Sequence, residues 1–300
     1  STGKRNYPWR IFAITEHDIL IAVVVLAAAV YFTAGRANRP KGVSAMKLEA
    51  LADAAEKGNP EAALEAAVRY GFGIRGVKED WKESYVWASQ AAKEGNEDAL
   101  AAKAEMEVRG LGAMEEGQAA VDQISALAAG GNAGALYAVG FGKMMSENAP
   151  TRREGAAQIR AAADKGLPRA QYLLGLLMLK GDPDAGIDKN EAEGARLIEK
   201  AAKGAEPDAL AAIGLCYLKG IGVPSDSLEA YTWLAVAAEE NDRWQKAKTE
   251  AASGISGEAE RDALLAVTFT RREYGPGKYH PNLAAHAAEY KRPFPGFPGE

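Results

Sequence analysis

The sequence predicts an all-α fold: an α-solenoid of about five helix-turn-helix repeats with one transmembrane helix near its N-terminal end. Three observations predict it. A glycine stop recurs at Gly58, Gly95, Gly131, Gly166 and Gly204, each after an amphipathic helical pattern. A small alanine then opens the next helix, at Ala62, Ala99, Ala135, Ala170 and Ala209, at intervals of 37, 36, 35 and 39 residues. Far upstream, the run from Ile19 to Ala34 carries no charge.

Composition agrees with a folded chain, at 47% hydrophobic and 26% charged residues. A net charge of −5 leaves no basic footprint for nucleic acid, so no nucleic-acid partner is expected. The single cysteine, Cys216, excludes an internal disulfide framework and falls on an apolar helix face, where it reads as core.

Residues 1–15 form a basic, interfacial segment. Lys4, Arg5 and Arg10 supply the charge, and Tyr7 and Trp9 are aromatics of the kind that settle at a membrane surface. Thr15 suits an N-cap, and Glu16 and Asp18 suit the positive end of a helix dipole. Residues 16–35 then give about 20 residues, or about 30 Å of helix, matching a bilayer core. Ile19, Val24, Leu26, Tyr31 and Phe32 would face lipid in such an anchor. A cleaved signal peptide and a buried core helix are the competing readings. Arg36, Arg39 and Lys41 balance the basic residues on the other side, so orientation is open. Residues 36–44 read as a linker.

Residues 45–240 carry the repeats. Five residues beyond each opening alanine comes another small residue: Ala67, Ala104, Gly140, Gly175 and Gly214. Second helices carry Trp87, Ile124, Ile159, Ile198 and Trp233 at matching points, followed by alanine pairs such as Ala91-Ala92 and Ala201-Ala202. Small residues let two helices approach, and the larger ones fill the space between layers. No helix pair buries its apolar face alone, so stacking supplies one continuous core. Residues 241–274 read as an atypical capping helix pair, with Trp244 packed on the preceding repeat. Residues 275–300 begin at the breaker Gly275-Pro276-Gly277. They hold a short helix over Asn282–Tyr290 and end in a proline-rich tail containing Phe294 and Phe297. That tail is expected either to lie extended across a neighbour or to hang free.

The copy Gly214-Leu-Cys-Tyr217-Leu-Lys-Gly220-Ile-Gly222-Val223, with Ala230-Tyr-Thr-Trp233 and Ala237-Ala238, closely resembles the Sel-one-like repeat, a tetratricopeptide-like family. Tyr70-Gly71-Phe72-Gly73 with Trp87 and Ala91-Ala92 is a second good copy, and Tyr172 to Ala202 a third. The copies opening at Ala99 and Ala135 are degenerate. The resemblance implies helix pairs stacked into a superhelix whose first helices line a concave face, and an adaptor role in many pathways. On that face the candidate protein-binding residues are Tyr70, Tyr137, Tyr172 and Tyr217. Arg69, Arg109, Lys180 and Lys219 lie near the bends, and Phe294 and Phe297 are added from the tail. Aromatic and arginine side chains are frequent interface anchors; the tyrosines also suit a repeat core.

Signals for catalysis are nearly absent. There is no phosphate loop, nucleophile elbow or Cys/His metal spacing, so no catalytic, cofactor-binding or metal residue and no small-molecule substrate is assigned. His280 and His286 stand six apart, which does not place both on one helix face, although either could meet Glu289. Asp182 to Glu193 places oxygen side chains at several positions of a calcium loop but has Ile187 where that loop needs glycine. It reads better as an inter-helix bend. The expectation is a non-enzymatic, single-pass scaffold at a bacterial or mitochondrial inner membrane. It would act as accessory subunit or assembly factor of a larger membrane complex, a respiratory complex being one such, through contacts with other subunits and with lipid over residues 16–35. The alternative is a tethered regulatory adaptor that binds a soluble peptide or envelope component.

Overall fold

The computed structural model describes residues 42–113, 118–257, 259–275, 278 and 281–298. The expected interfacial segment and anchor, residues 1–35, lie outside them. So do Trp9, Ile19, Val24, Leu26, Tyr31, Phe32 and His280. Among the described residues no single helix is long and apolar enough to cross a membrane. Residues 1–47 and 48–300 are separate units. The described part of the first holds a 3-10 turn, Val43–Ala45.

Among its described residues, the named elements of the second unit are all helices. After α1 (Leu48–Glu56) come five pairs. They are α2 (Pro60–Phe72) with α3 (Trp81–Lys93), α4 (Glu97–Arg109) with α5 (Gln118–Ala129), and α6 (Ala133–Met144) with α7 (Ala149–Asp164). The last two are α8 (Pro168–Lys180) with α9 (Glu191–Lys203), and α10 (Pro207–Lys219) with α11 (Ser227–Glu240). A 3-10 turn (Asp242–Trp244), α12 (Gln245–Ser253) and α13 (Ala259–Tyr274) close the stack against α11. A last short helix, α14 (Leu283–Glu289), belongs to the tail. Each pair packs on the next, which makes a solenoid. The copies opening at Ala99 and Ala135 form helix pairs too. Helix starts at Leu48 rather than near Ala45, because Val43–Ala45 closes a 3-10 turn first.

Local chemistry explains the boundaries. Asn59, Asp80, Asn96, Asn132, Asn148, Asn190, Asp226 and Asn282 each cap a helix by accepting a backbone N–H at its first turn. Such caps are worth about 1 kcal/mol apiece. The bend between the helices of a pair is fixed by one repeated bond: the amides of Asp80, Asn190 and Asp226 donate to the carbonyls of Tyr70, Met178 and Tyr217 at 2.8–3.0 Å. The second glycine of the bend has a packing reason. A β-carbon on Gly222 would lie 2.0 Å from the Glu191 carbonyl oxygen, at the start of the preceding repeat's second helix. Gly112 stands in the same relation to Trp81.

The predicted register of small residues describes the core. Ala62, Ala99, Ala135, Ala170 and Ala209 are all fully buried. Gly140 faces Gly155, Gly175 faces Gly194, and Gly214 faces Ala230, with backbone so close that a β-carbon on Gly175 would sit 2.8 Å from the Gly194 oxygen. In the first pair the same crossing is Ala67 against Ser84, whose buried hydroxyl donates to the Ala67 carbonyl at 2.8 Å. Ile124, Ile159, Ile198 and Trp233 fill the layers between. Trp244 is buried against the last repeat and covered by the Arg243 guanidinium at 4.2 Å.

Candidate protein-binding groove

The first helix of each pair presents a stripe one residue before the opening alanine, then about three, seven and eleven positions on, as one helix face requires. On α4 this is Asp98, Ala101, Glu105 and Arg109; on α6, Gly134, Tyr137 and Phe141; on α8, Arg169, Tyr172 and Leu176. These stripes form a groove, and the chain's own tail occupies it. α14 packs across α2, α4 and α6, with Leu283, Ala284, Ala285, Ala287 and Ala288 all buried. The expectation of a tail reaching across a neighbour therefore gives way to a docking within its own solenoid.

Two first-helix glycines make room for it. A β-carbon on Gly71 would meet the Leu283 Cδ1 at 2.7 Å, and one on Gly134 would meet the Asn282 Oδ1 at 2.6 Å. His286 stacks on Phe72, ring centres 3.8 Å apart, and its Nε2 lies 3.2 Å from the Gly71 carbonyl. Burial lowers the His286 pKa, so the neutral imidazole is the docked form. Tyr290 meets Trp81 edge-on, donates to Glu79 at 3.1 Å, and its carbonyl accepts from Arg109 at 3.0 Å.

Glu289 is the polar anchor. Arg169 grips its carboxylate with Nε and Nη2 at 2.8 and 2.7 Å, and the Tyr137 hydroxyl donates to the same group. Arg169 also reaches Glu206 and Asp208, each at 2.9 Å. Burial opposes the Arg169 charge, but Glu289 and Glu206 outweigh it and hold its pKa well above the ordinary value. Burial, then the Glu289 charge, pushes the Tyr137 phenol well up, so it stays a donor. Beyond the helix, Phe294 stacks between Phe141 and Tyr172, with the Arg169 guanidinium 4.0 Å from its ring centre. Phe297 is buried near Lys219, whose ammonium sits 5.6 Å from the ring.

Of the expected binding residues, Tyr137, Tyr172, Arg109, Phe294 and Phe297 thus come together, with Lys219 at the edge. Tyr70 and Tyr217 belong to a different register, eight residues after their opening alanine, and serve the bend through their carbonyls. Lys180 is exposed where α8 ends. Arg69 requires correction: it is buried at 3% exposure, its Nε 2.9 Å from Glu65 one turn earlier, and it lines no surface. Arg169, Glu105, Phe72 and Phe141 were not singled out from sequence, although they share the helical stripe of Tyr137 and Tyr172. Glu105 is buried, and burial lifts its carboxyl to about 7 against the pull of Arg292 and Arg109.

Other chemistry is sparse. Among the described residues no group of three or more His, Cys, Asp or Glu side chains is placed to hold a metal ion. The Asp182–Glu193 loop is a tight bend. Asp182 and Ile187 pair antiparallel, Ala185 and Ile187 are buried, and the Asp182 carboxylate is held by Arg152 and the Ala185 amide. Cys216 is fully buried, and burial raises its thiol to about 12, which leaves it unreactive.

Comparison with known proteins agrees with this architecture. The Sel1 repeat family model matches residues 60–96, 168–205 and 207–242, so the chain carries Sel1 repeats in those three stretches. They correspond to the first, fourth and fifth helix pairs. Sel1-repeat proteins are in general protein-interaction scaffolds, and no catalytic family is indicated. Among solved structures, the chain is similar to a protective antigen present in uropathogenic Escherichia coli strains displaying an SLR fold. That match has 24% identity and a TM-score of 0.55, and covers 77% of this chain and 50% of the other. It is also similar to a Sel1 repeat protein from Oxalobacter formigenes, at 28% identity and a TM-score of 0.50, covering 66% of this chain and 58% of the other. The chain therefore spans roughly half the length of these relatives. No curated protein matches it.

Proposed function

We propose that the protein is a non-enzymatic scaffold that holds partner proteins through the concave groove of its solenoid. The observation that carries this reading is the Arg169 cluster. A buried guanidinium beside Tyr172 grips a carboxylate to which Tyr137 also donates, and it covers an aromatic ring, which is the chemistry of an interface anchor. The uncharged run from Ile19 to Ala34 supports a finer version. In it, residues 16–35 anchor the scaffold in a bacterial or mitochondrial inner membrane as an accessory subunit or assembly factor of a membrane complex. The tail lying in the groove favours a second reading, a tethered regulatory adaptor whose site is opened by its partner.

Cross-linking in native membranes followed by mild-detergent extraction tests the scaffold. A co-migrating protein cross-linked to α4, α6 or α8 is expected, and a monomer with no cross-linked protein overturns it. Replacing residues 16–35 with an unrelated anchor separates the two readings. A subunit then drops out of its complex, whereas a tethered adaptor keeps its function.

A further inference from the structure

The tail reads as an occupant rather than as a sixth repeat. The helix-breaking sequence Gly275-Pro276-Gly277 separates it from α13. α14 has seven residues, too few to hold helix unsupported in water, so it is ordered by the groove it fills. Its specific contacts are those of recognition. One carboxylate lies in an arginine fork, one imidazole lies on a phenyl face, and a phenylalanine slots between two rings and a guanidinium. The repeats contact one another directly on either side of it. Groove and tail also match by size. Gly71 and Gly134 are hollow where Leu283 and Asn282 enter, and the tail's helix is lined with alanine where it must sit deep.

We propose that the groove is a site for a partner protein's segment built like the tail, and that residues 281–298 are its displaceable occupant. This rests on the scaffold reading and specifies the ligand. It is a short helical turn of small residues bearing a planar ring and, three positions later, a carboxylate; an aromatic beside prolines follows about five positions further on. The carboxylate takes Arg169 and Tyr137, the ring takes Phe72, and the aromatic takes the gap between Phe141 and Tyr172. A partner binds by taking these contacts from Glu289, His286 and Phe294, after which the released tail loses its helix.

The test uses the full chain with a protease site inserted between Gly275 and Lys278, cut after folding. A fluorescent synthetic peptide of residues 281–298 is then added, and anisotropy is read. The cut protein is expected to exchange its tail for the peptide. The uncut protein should take up the peptide at least tenfold more weakly, because its own tail competes at high effective concentration. A Glu289→Gln peptide should bind the cut protein at least tenfold more weakly, and a Phe294→Ala peptide likewise. Three results overturn the proposal: a cut tail that never exchanges, a cut chain that loses its helical circular dichroism, or equal uptake by cut and uncut protein. None of these touches the scaffold reading, which stands or falls on the cross-linked partner.

Discussion

Replacing Arg169 with methionine should unfasten the tail and weaken the middle of the solenoid together. Arg169 makes its contacts at 15% side-chain exposure, so solvent screens them little. Three carboxylates depend on it to different degrees. Asp208 is 42% exposed and returns to water at a cost below about 1 kcal/mol. Glu289 at 14% cannot do so without local opening. Stranding a buried ion costs about 3–5 kcal/mol. Losing the guanidinium from the face of Phe294 adds about 1 kcal/mol. The cheapest relief is for the tail to leave with Glu289, so part of the cost appears as release rather than as global unfolding. Urea titration followed by tryptophan fluorescence reads the first effect, and limited trypsin cleavage after Lys291 reads the second. Arg169→Met should lower the unfolding free energy by about 3–5 kcal/mol and speed that cleavage. Glu289→Gln, which leaves Arg169 with two carboxylates, should cost about 1–3 kcal/mol and speed it too. An Arg169→Met protein with the parent's urea midpoint and the parent's cleavage rate would refute the reasoning.

Three further outcomes follow from other contacts. Gly134→Val should expel the tail while leaving the helical content of the repeats intact, because its β-carbon would sit 2.6 Å from the Asn282 side chain; unchanged trypsin resistance would contradict this. Gly175→Ala should lower the thermal midpoint by the equivalent of about 1–3 kcal/mol, since Ile198 Cγ1 lies 2.7 Å from the new methyl and α8 and α9 must part. The gain in helix propensity, at most about 1 kcal/mol, does not offset that, and a higher midpoint would be the contrary result. The third concerns pH. The folded pKa of Glu105 is raised from 4.5 to about 7, so its contribution is full below 4.5 and is lost as pH rises through 7. Glu105→Gln should therefore gain on the parent as pH rises from 5 to 8, by at most about 3 kcal/mol, and a difference independent of pH would refute the assignment. The folded His286 pKa is lowered, so its contribution is full above 6.5 and falls as pH drops below that value.

The repeats were legible because their signal is periodic and local. A glycine stop, an opening alanine and a second small residue five positions on are demanded by helix crossing in every pair, and each copy repeats the demand. Groove occupancy was harder to read because it depends on residues some 120 to 215 positions apart. Tyr70 and Tyr217 looked equivalent to Tyr137 and Tyr172 by residue type, yet the two sets sit six positions apart in register and face different neighbours. Arg69 was misplaced because its partner, Glu65, is one turn away on the same helix, which hides it from any surface argument. One clue was present. Five of the seven residues of Leu283–Glu289 are alanine or leucine, far too many for a short helix standing free in water, so the helix must be covered. Arg169 could have been found by following the stripe of Tyr172 back one turn.

Hydrogen exchange of the intact chain over residues 283–290 tests the occupied groove most directly. A seven-residue helix has no protection of its own, so any protection there reports docking. The account predicts slow exchange for the amides of His286 and Tyr290, which donate to Asn282 and His286, and faster exchange in Arg169→Met. Exchange at the rate of an unstructured peptide in the intact chain would contradict it.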